Sequence, residues 1–351
     1  MDSIMTKKTD SGSLIRAGII ILIAQAVFLA ANFIYHFLSA RFLGPAEYAV
    51  VASLFSIFYL VSVGSAAIQN TATKYVSEFK AEKNDNKIAL FFRRGFRKIL
   101  VISFLFFIAY LAISPLIASF LHIPLISVLI SSPVIILFSL IPFNRGIMQG
   151  LQKFGSLGVN TALEGIIKLA LALAFIFAGL KANGVIAAVP IATAVAIVLS
   201  FFPLKLKKAK GALKLDTKEI YKFTFISFIA LFLVNTIYNL DIFLVKHYFS
   251  AEQAGYYAAI SLLGKIVFFG ATAIGLVMFP KVSEMHLNDK KTARIIFKKA
   301  LGFTLLISLL ITAVYFLFSK ILVSILFGAQ YMTIAPFIGF FGVFMSMLSL
   351  S

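Results

Sequence analysis

Three polar side chains recur every four residues inside an otherwise apolar stretch: Asn160, Glu164 and Lys168. Helical positions four apart lie one above the other, so an amide, a carboxylate and an ammonium share one face. Two chemistries suit such a face. Glu164 and Lys168 can form an intrahelical ion pair that lets both charges be buried, or the row can line a cavity and bond a polar solute. The two do not exclude each other. A second set is Asn235 and Asn239, four apart, with Tyr238 and Asp241 beside them. Asp241 lies near the end of its apolar run, where it faces a cavity or sits among lipid headgroups. A third set is Ser261 and Lys265. Lys265 lies about ten residues from the run's outer end, roughly 15 Å at helical rise. That is too deep for easy snorkelling and suggests a charge facing a cavity. Gln25, Asn32 and His36 share a face of the first run, where His36 reads as an interface residue or a proton relay. Arg145 follows Pro142 and Asn144, either anchoring the chain at the cytoplasmic membrane edge or meeting a phosphate at the inner mouth. Asn32, Arg145, Asn160, Glu164, Lys168, Asn235, Asn239, Asp241 and Lys265 are therefore the candidates for lining a solute cavity.

These residues do not compose a catalytic centre. The chain has no cysteine, so thiolate chemistry and cysteine metal sites are excluded. Its 13 Asp and Glu are scattered, and His36, His122, His247 and His286 are far apart. No phosphate-binding glycine–lysine loop is present, which argues against ATP-driven pumping by this chain alone. We expect no enzymatic activity, no metal and no cofactor. Coupling to a proton or a sodium ion is left open.

The elements that position these side chains are set by hydropathy. Hydrophobic residues make up 61% of the chain and charged residues only 13%, which excludes an ordinary soluble domain. Ten apolar runs are long enough to cross a bilayer as helices: 17–38, 46–72, 99–121, 124–143, 157–180, 184–204, 223–245, 255–279, 300–319 and 333–351. They do not alternate as barrel strands would. Of the 32 Lys and Arg, only Arg41, Lys181, Lys246 and Lys320 fall in the connections after the odd-numbered runs, and Lys168 and Lys265 lie within runs. All others flank the opposite side, notably in 74–98, 205–222 and 281–299. Cationic connections resist translocation, so the pattern places these segments and the N-terminus in the cytoplasm of a multi-pass cell-membrane protein. The net charge of +19 is then explained by topology and anionic lipid rather than nucleic acid.

The chain also contains an approximate repeat. Ala46-Glu-Tyr48 and Val76-Ser-Glu78 flank the second run, as Ala254-Gly-Tyr256 and Val282-Ser-Glu284 flank the eighth. Six runs separate the copies, an even number, so the halves are parallel. This implies two six-helix lobes related by an axis along the membrane normal. The lobes are read as 1–210 and 211–351, the second with about four helices. No basic flank follows the tenth run, from which we expect the second lobe to be incomplete.

Three stretches carry a family likeness: Arg41-Phe-Leu-Gly-Pro-Ala-Glu-Tyr48, Arg145-Gly-Ile-Met-Gln-Gly-Leu-Gln-Lys-Phe154, and Asn239-Leu-Asp-Ile-Phe-Leu-Val245 leading to Ala254-Gly-Tyr256. In these the chain resembles the Wzx-type polysaccharide-export flippases of the multidrug/oligosaccharidyl-lipid/polysaccharide (MOP) exporter superfamily. The resemblance implies an all-α fold of 12 to 14 membrane helices in two lobes around a central cavity. It implies movement of polyprenyl-(pyro)phosphate-linked glycans between leaflets, with glycan-assembly enzymes as partners. A multidrug or toxin cation antiporter of the same superfamily is the alternative. It would favour an acid-rich cavity, whereas the buried charges here are of both signs.

Overall fold

A computed structural model of the chain describes residues 11–204, 217–268 and 290–350. Among these residues every regular element is helical. The helices are α1 (Ser11–Leu43), α2 (Pro45–Ala81), α3 (Asp85–Leu121), α4 (Leu125–Ser131), α5 (Val134–Gly150), α6 (Phe154–Phe177), α7 (Lys181–Leu204) and α8 (Thr217–Tyr248). They continue with α9 (residues 251–268), α10 (Lys290–Leu317), α11 (Ser319–Leu326), a 3-10 turn at Ala329–Ile334, and α12 (Ala335–Leu350). Eight segments among the described residues are long and apolar enough to cross a membrane. The seventh expected run falls on α8 and residues 255–268 of the eighth fall on α9, the rest of the eighth lying outside the described residues. The chain is an all-α, multi-pass membrane protein.

Two helices differ from the sequence reading in length. α2 and α3 each have 37 residues, about 55 Å at helical rise against a hydrocarbon core of about 30 Å. The basic segment 74–98, read as a loop, is therefore mostly helix, and only residues 82–84 turn. There Lys83 takes a left-handed φ of 54°, and the Asn84 side chain caps α3 by accepting from the Lys87 amide at 3.0 Å. The fourth run is broken in the opposite sense. Pro133 lacks an amide hydrogen and separates α4 from α5.

The chain divides into two compact units. The first holds the described residues of Met1–Tyr35 and Ser53–His247. Within it α7 packs against α4, α5 and α6, and α3 against α4 and α5. Gly146 and Gly150, one turn apart on α5, let that helix approach α2 closely. A β-carbon at Gly146 would stand 2.6 Å from the Gln69 carbonyl, and one at Gly150 2.7 Å from Val76. Beside this seam, Tyr75, Val76, Phe79, Phe91, Phe143 and Ile147 are buried together. The second unit holds the described residues of His36–Ala52 and Tyr248–Ser351. Here α10 packs on α12, where Thr312 and Ser346 share a 3.0 Å hydrogen bond. In this division α8 groups with the first unit and the α1–α2 tip with the second.

That tip explains the first family-like stretch. Gly44, at φ 79°, ends α1, and Pro45 opens α2. Arg41 reaches the carbonyls of Ser324, at 3.2 Å, and Ile325 at the end of α11. Gln330 returns a bond to the Arg41 carbonyl at 2.7 Å. Gly255 lies against the Pro45 backbone, where no β-carbon fits. The first parts of the two repeat copies, at Ala46-Glu-Tyr48 and Ala254-Gly-Tyr256, are thus brought together at Pro45 and Gly255.

Candidate functional site

α6 supplies the row Asn160, Glu164 and Lys168, and all three are buried. Such a row is tolerable at bilayer depth only when neighbouring helices complete its bonding. α5 and α7 do so at one end. The Arg145 guanidinium donates to Glu164 Oε2 at 2.7 Å, to Asn160 Oδ1 at 2.9 Å and to the Asn160 carbonyl at 3.3 Å. Thr193 donates to the other Glu164 oxygen at 2.7 Å. The Asn160 amide donates to the Ala196 carbonyl at 2.7 Å. The pair is well shielded, with side-chain exposures of 12% for Arg145 and 10% for Glu164. Removing one member of such a pair typically costs about 3–5 kcal/mol, because its partner is left charged and alone.

Lys168 lies one turn beyond Glu164 and has different surroundings. Its ammonium donates to Asn32 Oδ1, and the Asn32 amide is itself tied to the Phe28 carbonyl at 2.9 Å. Three rings enclose the ammonium: Tyr35 at 4.6 Å from the centroid, Phe55 at 5.7 Å and Phe28 at 5.9 Å. The Tyr35 hydroxyl, donating to the Val185 carbonyl of α7 at 2.9 Å, fixes the nearest ring. Gly165 lets α6 meet α1 here, since a β-carbon would lie 3.1 Å from Phe28. Among the described residues no carboxylate lies within ion-pairing distance of Lys168. Along this seam Glu164 and Lys168 are buried and Arg145 is largely shielded.

Five of the candidates, Asn32, Arg145, Asn160, Glu164 and Lys168, are thus linked through α1, α5 and α6. The partners differ from those that spacing suggests. Glu164 pairs with Arg145 rather than with Lys168. The Arg fork can bond the carboxylate and the Asn160 amide together, which an ammonium four residues along cannot. Arg145 also turns into the protein instead of lying free at the membrane edge. Gln25 is exposed, so it does not share the buried face of Asn32. His36 is buried in the second unit, its Nδ1 3.3 Å from the Tyr48 hydroxyl. Asp241 on α8 and Lys265 on α9 are half-buried. The side chains of Asn235 and Asn239 lie outside the described residues. Spacing did not point to Phe28, Tyr35, Phe55 or Thr193. Only Tyr35, one turn beyond Asn32, carried a local signal.

A family profile described as polysaccharide biosynthesis protein matches residues 38–336. The chain belongs to this polysaccharide biosynthesis protein family. No curated protein sequence matches it significantly. Solved structures place the family member in the MOP fold. It is similar to the inward-facing form of a multidrug resistance MATE family transporter of the MOP superfamily, with TM-score 0.67 and 14% identity, covering 91% of this chain and 83% of that one. The outward-facing form of such a transporter gives TM-score 0.59 and 16% identity, covering 95% and 84%. A MOP superfamily transporter from Pyrococcus furiosus, in which reverse polarity of the binding pocket suggests a different function, gives TM-score 0.55 and 15% identity, covering 95% and 84%. Within the polysaccharide biosynthesis protein the second family-like stretch now has a physical content. Arg145 bonds the α6 polar row, while Gly146 and Gly150 seat α5 on α2. Lys80 closes the turn after α5, donating to the Leu151 carbonyl and to Gln152, both at 2.9 Å.

Proposed function

We propose that this polysaccharide biosynthesis protein is a secondary transporter and no enzyme. It flips a lipid-linked oligosaccharide or polysaccharide precursor, on a polyprenyl phosphate or pyrophosphate, from the inner to the outer leaflet of the cell membrane. The N-terminus is cytoplasmic. The single observation that carries the substrate charge is Lys168. It is a buried cation held by rings and one amide oxygen, with no carboxylate partner among the described residues. A phosphate supplies the missing countercharge through a charge-assisted hydrogen bond. The sugar–phosphate headgroup cannot cross hydrocarbon unaided, so the transporter exposes its polar interior to each side in turn while the lipid tail stays in the bilayer. Glycan-assembly enzymes supply the substrate on the cytoplasmic side.

A cation antiporter is the competing reading, and the fold of the similar structures favours it. Against it, the rings best placed to hold a cation, Phe28, Tyr35 and Phe55, already enclose the protein's own ammonium. The test is transport of a fluorescent lipid-linked oligosaccharide in proteoliposomes by Lys168→Gln/Lys265→Gln. We expect flipping to fall at least tenfold with insertion and melting temperature preserved. Undiminished flipping overturns the assignment of these cations to the substrate.

A further inference from the structure

The exposed side of α3 changes character abruptly. Arg93, Arg94, Arg97 and Lys98 are all exposed and, at 100° per residue, lie within one arc of the helix. Directly beyond them on the same arc come Val101, Leu105 and Ile108, with exposures of 53%, 63% and 48%. The opposite arc is the packed one, with Ser103, Tyr110 and Ser114 buried. An exposed apolar stripe on a membrane-crossing helix faces acyl chains. The level at which it becomes cationic is therefore the level of the headgroups. A second element marks the same level. Tyr221, exposed near the start of α8, holds the Lys98 ammonium over its ring at 4.1 Å and bonds it through its hydroxyl. Arg93, Arg94 and Arg97 make no hydrogen bond or ion pair among the described residues. Each guanidinium presents a planar fork of donors suited to phosphate oxygens.

We propose that this patch on α3 and α8 is a specific site for the phosphate of an anionic phospholipid. The headgroup sits among Arg93, Arg94, Arg97 and Lys98 while the acyl chains run along Val101, Leu105 and Ile108. The occupant is committed by continuity. A soluble phosphate has no use for the apolar stripe, and an acidic protein would have to reach the patch past the headgroups. The site differs from the buried seam around Lys168 and does not depend on the transported substrate.

General attraction between basic flanks and anionic membranes predicts something weaker, namely that any cluster of cations beside a span retains lipid equally. α10 provides the matched control, because Arg294, Lys298 and Lys299 are also exposed. The experiment is native mass spectrometry of the detergent-solubilised full chain, titrated with phosphatidylglycerol, phosphatidylcholine or polyprenyl phosphate. The proteins compared are wild type, Arg93→Gln/Arg94→Gln/Arg97→Gln, and Arg294→Gln/Lys298→Gln/Lys299→Gln. We expect the α3 variant to lose about tenfold in phosphatidylglycerol affinity, the α10 variant to lose less than twofold, and phosphatidylcholine binding to be unaffected by either. Equal losses from both variants overturn the proposal in favour of diffuse attraction. So does loss of polyprenyl phosphate binding with phosphatidylglycerol binding intact. The charge-preserving Arg93→Lys/Arg94→Lys/Arg97→Lys guards against misfolding. It should keep the wild-type melting temperature and lose several-fold in phosphatidylglycerol affinity. Wild-type affinity in that variant overturns the role of the guanidinium forks.

Discussion

At the scale of residues, Lys168 combines two unfavourable facts, a buried charge and, among the described residues, no carboxylate within ion-pairing distance, and the surrounding rings offset them. A desolvated ammonium over an aromatic face gains about 2 kcal/mol. Three rings and Asn32 thus replace part of the lost hydration. This makes the pocket a cation site occupied from within. Lys168→Ala vacates the cage and leaves Phe28, Tyr35, Phe55 and Asn32 in place. Its melting temperature should then rise with millimolar n-butylammonium and remain flat with 1-butanol, which has the same chain and no charge. Wild type should respond to neither, because its own ammonium fills the space. Equal responses of the variant to amine and alcohol would show that the pocket is merely apolar. The contrast with Glu164 is instructive. Its carboxylate meets Arg145 and Thr193 on both oxygens, so its charge is spent within the protein, and that of Lys168 is not.

At the scale of elements, the spans were legible because the bilayer imposes a length of about 20 apolar residues. The features beyond it were not. Nothing in hydropathy says that a basic segment continues the helix, as 74–81 and 85–98 do. Nor does hydropathy say which way Arg145 turns. That is decided by the acceptors α6 offers it, Glu164 and Asn160, while the neighbouring Gly146 and Gly150 set how closely α5 approaches α2. Gly146 is therefore a position where one methyl group should matter. Gly146→Ala places a β-carbon against the Gln69 carbonyl and the Ala72 side chain, both at 2.6 Å. Backbone on the far side cannot yield as a flexible side chain does, and overpacking of this kind costs about 1–3 kcal/mol. Gly155, on the first turn of α6, has nothing within 4 Å of its β-position. Gly155→Ala should be neutral or stabilising by up to about 1 kcal/mol through helix propensity. Thermal melting of the two variants in one detergent checks this. Equal melting temperatures would mean that the α2–α5 seam is not tightly packed in the membrane. The aromatic cage was the least legible feature of all. Its members come from α1, α2 and α6, and only tertiary packing brings them together.

At the scale of the whole molecule, the proposed topology also bears on energetics. The flippase reading requires outward movement of an anionic headgroup with no nucleotide consumed. A cell membrane is negative inside, and a potential of 100 mV favours outward movement of one negative charge by about 2.3 kcal/mol. A pyrophosphate diester carries two such charges, so the potential alone can drive accumulation in the outer leaflet. This holds unless cations leaving with the substrate, or anions entering in exchange, cancel the net charge carried. The measurement is the leaflet distribution of a fluorescent pyrophosphate-linked lipid in proteoliposomes under a potassium–valinomycin diffusion potential. The expected result is a distribution shifted away from the negative compartment, reversed when the potential is reversed and abolished when it is collapsed. A monophosphate-linked analogue, a phosphodiester with one negative charge, should shift less. A distribution indifferent to potential, with transport still dependent on the protein, would show that the charges are fully compensated by a coupled ion. The buried Arg145–Glu164 pair would then be the first place to look for its binding.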